Sequence, residues 1–112
     1  MFRTNSNKGF FMEFENGFGI SVQWGTMNYC SVKNHESGIG TEMVGNSKEF
    51  RNAWESNTAE IAVFKGDTMM SVGDNDQVIG WLATDDVAKV IEIVSKFKTE
   101  NTIKKKIKEL NL

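Results

Sequence analysis

Proline is absent from this chain of 112 residues, and cysteine, histidine and tyrosine occur once each. Without proline, every turn must be built from glycine, asparagine, aspartate or serine. A single cysteine leaves no internal disulfide, and one cysteine with one histidine cannot furnish the usual Cys/His zinc set. The chain also lacks an apolar run long enough for a membrane span or a secretory leader. A cytoplasmic protein is expected, with no cofactor, no metal and no membrane partner.

Aromatic residues, by contrast, are plentiful. Eight phenylalanines and three tryptophans stand in a chain that is 39% hydrophobic. A chain of this length is about the size of one domain and buries roughly two-thirds of its unfolded surface, so one modest core is expected. The net charge of −2 hides a division along the chain. Residues 1–88 hold six Lys/Arg against twelve Asp/Glu, a net −6, whereas residues 89–112 hold seven Lys against three Glu, a net +4. An acidic body repels phosphate backbones, so nucleic acid is expected as a partner only through the basic C-terminal segment.

The strongest local signal is a β-hairpin across Phe10–Trp24. Apolar residues alternate as Phe10, Met12 and Phe14 on one arm and Phe18, Ile20, Val22 and Trp24 on the other. A two-residue Asn16-Gly17 turn would pair Phe14 with Gly19 and put the two apolar sets on opposite faces. A three-residue loop, Glu15-Asn16-Gly17 with Gly17 left-handed as a bulge, pairs Phe14 with Phe18 and puts all seven on one face. Burying each such side chain is worth roughly 1.5–3 kcal/mol, so burial is expected to override the turn preference.

Further along, Met27–Val32 reads as a third strand. Lys33–Asn46 reads as a long surface loop or an irregular hairpin, and Ser47–Trp54 either as a short helix or helical turn with Ser47 as its cap or as a loop pinned by Phe50 and Trp54. Ala59–Phe64 and Met69–Val72 form a second hairpin around Lys65–Thr68, and Gln77–Leu82 is the last strand. From Thr84, read as the N-cap, the period becomes helical, with Val87, Val90, Ile91, Val94 and Phe97 on one stripe. A second short basic helix starts at Thr99 or Thr102 and carries Ile103, Ile107 and Leu110. The expected fold is α+β. An antiparallel sheet of about five to six strands, built from hairpins, has the C-terminal amphipathic helix packed on it. The single domain spans 1–112, with 1–8 loose, 9–82 mainly β and 84–112 helical.

No catalytic set is evident. Cys30 and His35 suggest a thiolate and its base, but no third orienting group accompanies them, and a strand cysteine beside a loop histidine is the simpler reading. Asp67, Asp74 and Asp76 sit among turn residues and lack the spacing of a calcium loop. Glu13 and Glu15 are read as solvent-facing residues and not as an acid/base pair. Gly38-Ile39-Gly40 is only a fragment of a dinucleotide fingerprint. Trp24, Tyr29 and Trp81 are the candidates for stacking a small ligand or a base, with core packing as the competing explanation. Lys104, Lys105, Lys106, Ile107 and Lys108 are the candidate partner-binding run, against the simpler reading of a solvated helix face; the apolar stripe beside them could dock on another subunit.

The stretch Phe14-Glu15-Asn16-Gly17-Phe18-Gly19-Ile20-Ser21-Val22-Gln23-Trp24-Gly25, followed by Asn28-Tyr29-Cys30, resembles the opening of a group of small uncharacterised bacteriophage proteins. Ser56–Val63 and Gly80-Trp81-Leu82 are similar to their second half. The resemblance covers about residues 10–97; the Lys33–Asn46 loop and the lysine-rich end depart from it. It implies a non-enzymatic accessory protein in the host cytoplasm that binds a host protein, for instance inhibiting a host enzyme or defence system. Two alternatives stand beside this: a homo-oligomer that sequesters a small ligand or nucleotide, and an enzyme using Cys30 or the turn aspartates.

Overall fold

In the computed structural model, which describes residues 1–4, 9–25, 28–31, 56–74 and 76–112, the hairpin adopts the register that its apolar pattern demands. Strands β2 (Gly9–Glu13) and β3 (Phe18–Gln23) pair Phe10 with Val22 and Met12 with Ile20. Beyond them the Phe14 N–H donates to the Phe18 carbonyl at 2.8 Å and the Gly17 N–H to the Phe14 carbonyl at 3.0 Å. Gly17 has a φ of 88°, the left-handed conformation of a bulged three-residue loop. Phe18, Ile20 and Val22 are buried in the core, and Phe10, Met12, Phe14 and Trp24 pack against it. Burial therefore sets the turn type.

Among the described residues four more strands join the same antiparallel sheet: β1 (Phe2–Thr4), β4 (Thr58–Lys65), β5 (Thr68–Met69) and β6 (Val78–Ala83). The order is β1-β2-β3-β4, with β5 and β6 sharing the far edge of β4. Three details depart from the sequence reading. The start of the chain is not all loose, because Phe2–Thr4 pairs with Met12–Phe10 and the terminal amine donates to the Glu13 carbonyl. Asn28–Ser31 is a bend and not part of a strand, because the Asn28 side chain accepts the Gly25 N–H at 2.9 Å and closes a local turn in place of a ladder. Strand β5 stops at Met69, since β6 already occupies the edge of β4 from Ala62 back to Thr58. The expected loop Lys33–Asn46 and helix Ser47–Trp54 lie outside the described residues.

Among the described residues two helices follow the sheet, the first lying on one of its faces and the second against the first. Helix α1 (Thr84–Lys96) packs Val87, Val90 and Val94 against β3, β4 and β6. Its N-cap position is Ala83, not Thr84, and no side chain caps it: β6 runs straight into the helix, and Asp85 and Asp86 in the first turn offset the dipole instead. Helix α2 (Glu100–Glu109) starts at Thr99, whose hydroxyl oxygen accepts the Thr102 N–H at 3.3 Å. Ile103 and Ile107 are buried to 0% and 2% exposure, in the same cluster as Val90 and Val94.

Asn16 ties the two layers together. Its side-chain oxygen accepts the Phe18 N–H at 3.0 Å, while its amide donates to the carbonyls of Val94 and Phe97, each at 2.8 Å. Those are carbonyls at the end of α1, which the helix itself leaves unpaired. One residue thus turns the hairpin and closes a helix.

Candidate functional site

Between Ile61–Ile79 and Ala59–Leu82 the ladder of β4 and β6 slips by one residue. Strand β4 spans that interval with Glu60 alone, and β6 spans it with Gly80 and Trp81. Strict alternation from Ile79 would send Trp81 to the core and Leu82 to solvent. The extra residue reverses this: Leu82 is 4% exposed and Trp81 is 56% exposed. Trp81 also sits at a φ of 61°. A left-handed conformation at a non-glycine residue costs roughly 1–2 kcal/mol, and such strain gathers where a side chain must be aimed.

The bend Asn28–Ser31 is fastened beside this bulge. The Trp81 N–H donates to the Tyr29 carbonyl at 2.8 Å. The Glu60 carboxylate accepts the Tyr29 N–H at 3.0 Å and the Asn28 amide at 3.3 Å. Gln23 also accepts from the Asn28 amide, and Ser31 is held to Thr58 through both its N–H and its hydroxyl, each at 2.8 Å. Gly80 is required for this approach, since a Cβ there would stand 2.4 Å from the Tyr29 Cβ. The result is a fixed corner at the edge of the sheet that presents Trp81 and Tyr29, the latter 44% exposed.

Of the three candidate stacking residues, then, the structure brings together Tyr29 and Trp81. Trp24 is elsewhere: it is half-buried against the core, with its ring edge-on to Phe10 at 6.2 Å. Cys30 is fully buried, and its thiol donates to the Gly25 carbonyl at 3.3 Å, which suits a structural residue. His35 lies outside the described residues. Asp67 occupies the exposed turn between β4 and β5, and Asp76 accepts the Gln77 N–H at 2.7 Å, both ordinary turn roles. Among the described residues no cluster of three or more His, Cys, Asp or Glu could hold a metal. Glu13 faces Arg3 at 3.6 Å, and Glu15 is exposed in the hairpin loop.

The lysine run does not form one patch. Helical periodicity distributes it around α2. Lys104 pairs with Glu100 at 3.1 Å, Lys106 sits 5.6 Å from the Phe97 ring centre, and Lys105 is exposed. Lys104 and Lys108 line an open groove of about 760 Å³ whose other wall carries Asp74 and Asp76. Ile107, expected to face a partner, is inside the protein's own core, and Ile103 with it, so the apolar stripe of α2 is already occupied. The framework residues Glu60, Asn28 and Thr58 carried no sequence signal beyond a lone carboxylate in an apolar strand.

No helix among the described residues is long and apolar enough to cross a membrane. Compared with known protein families, curated proteins and solved structures, the chain matches none of them.

Proposed function

We propose that this protein acts by binding a host protein, with the Trp81–Tyr29 corner as its recognition surface and with no chemistry of its own. The observation that carries this reading is Trp81, turned to solvent by a one-residue bulge and held in a left-handed backbone conformation. Large aromatics dominate the energetics of protein interfaces because they bury much area with few rotatable bonds. A tryptophan kept outside at a conformational cost is better explained by recognition than by folding. The resemblance to small phage proteins supports the setting, the cytoplasm of an infected bacterium, and the role of an accessory protein that blocks a host enzyme or defence component. The enzyme alternative has less support, since the Cys30 thiol is buried and already bonded.

The test is quantitative capture from a bacterial lysate with the wild-type chain and a Trp81→Gly variant on parallel resins. The wild type is expected to enrich a discrete partner that Trp81→Gly loses at least tenfold. Equal retention of that partner by both chains, or enrichment of nothing by the wild type, would overturn the reading.

A further inference from the structure

We infer that the Trp81 corner takes a cationic side chain, an arginine or lysine on a basic segment of the partner protein; this rests on the reading of Trp81 as a recognition residue. An indole face attracts a cation through its quadrupole, and tryptophan does so best among the aromatic side chains. Directly across the bulge from Trp81 stands Glu60, whose carboxylate is fixed by the Tyr29 N–H and the Asn28 amide and so cannot swing away. None of residues 28–31, 58–60 and 79–82, which build the corner, is a lysine or arginine. Asp85 and Asp86 follow Trp81 within the first turn of α1, and residues 1–88 as a whole carry −6.

The same electrostatics bear on the alternative ligand. A nucleotide stacked on Trp81 would bring its phosphates into this acidic field, an arrangement that repels. A guanidinium or ammonium group gains from both the ring and the field. The chain already uses this contact internally: Arg3 lies 4.6 Å from the centre of the Phe11 ring, and Lys96 and Lys106 lie 5.7 and 5.6 Å from that of Phe97. Among the described residues no cation of the chain itself covers Trp81. The corner therefore offers an aromatic face and a fixed negative charge to a cation from outside.

The experiment is a titration of the isotope-labelled full chain, followed by two-dimensional NMR on the amides of residues 29–31 and 79–82 and on the tryptophan indole signals. The probes are a capped arginine hexapeptide, a capped Gly-Ser hexapeptide of equal length, and adenosine monophosphate, all at physiological salt. The arginine peptide is expected to shift the Trp81 indole signal in a saturable way and to leave that of Trp24 in place. Trp81→Leu, which keeps apolar bulk and loses the ring face, should weaken the response about fivefold, the factor that ~1 kcal/mol represents. Glu60→Gln, which keeps an acceptor for the bend and removes the charge, should weaken it as well. An unmoved Trp81 signal, an equal response to the Gly-Ser peptide, or an undiminished response in Trp81→Leu would overturn the inference. A stronger response to adenosine monophosphate would also overturn it, while leaving Trp81 as a recognition residue. The lysate comparison tests that wider reading separately.

Discussion

Cutting the chain after Phe97 should unfold the domain, not trim a dispensable tail. The +4 charge of residues 89–112 makes this segment look like an appended basic arm. The structure instead places Ile103 and Ile107 of α2 in the central cluster, against residues that α1 and the sheet bury from the other side. Each isoleucine contributes roughly 1.5–3 kcal/mol by its own burial. Removing the helix also strips cover from Val90 and Val94. A domain of this size has about 5–15 kcal/mol in total, so losses of this kind consume most of it. Near-ultraviolet circular dichroism of the truncated chain should show no fixed aromatic environment. Ile103→Ala, which leaves the helix in place, should cost about 3–4 kcal/mol in urea denaturation. A truncated chain that still melts cooperatively at the wild-type midpoint would contradict this placement of α2. It follows that partner binding by the lysines must be probed by charge reversal at exposed Lys105 or Lys108 and not by truncation.

Asn16→Asp should destabilise the fold by about 3 kcal/mol, far more than a surface change in a turn ordinarily does. The amide of Asn16 donates at 2.8 Å to two carbonyl oxygens at the end of α1. A carboxylate in its place donates nothing and leaves both acceptors facing like charge. Half-buried carbonyls left unpaired cost roughly 1–3 kcal/mol, and a negative charge at the negative end of a helix dipole adds ~0.3–1 kcal/mol more. Asn16→Ala should cost about 2 kcal/mol, because it loses the bonds without adding the charge. The two variants separate further by pH. The introduced carboxyl is disfavoured as an anion in the folded state, so its excess penalty is present at neutral pH and is lost below about pH 4, where it is protonated. Urea denaturation of both variants at pH 7 and at low pH checks the sign. Equal stability of Asn16→Asp and wild type at pH 7 would contradict the cap.

The hairpin register was legible because two independent constraints met in fifteen residues. The turn residues allowed two registers, and only one of them placed Phe14, Phe18, Ile20 and the rest on a single face. Helix α1 was legible from its three-and-four spacing for the same reason. The parts that were not legible depend on contacts between distant segments. Nothing around Asn16 indicates a helix end 78 and 81 residues away. Trp24 and Trp81 are the same residue in similar apolar surroundings, yet one packs on the core and the other faces solvent. What separates them is a slip against β4, which no pattern within Val78–Ala83 records. The segment Met27–Val32 has strand-like composition, but the Asn28 side chain offers the backbone a turn, and Glu60 from β4 secures it.

The recognition role proposed for Trp81 requires that the fold hold this residue outward against the preference of its own backbone. The relative stability of Trp81→Gly and Trp81→Ala tests it most directly, because both remove the indole and differ only in their tolerance of a φ of 61°. In an ordinary strand position alanine is the more stable by roughly 0.5–1 kcal/mol. Here the order should reverse, with Trp81→Gly more stable than Trp81→Ala by about 1 kcal/mol in urea denaturation. Alanine equal to or better than glycine at this position would mean that Trp81 bears no such strain, and would contradict the account.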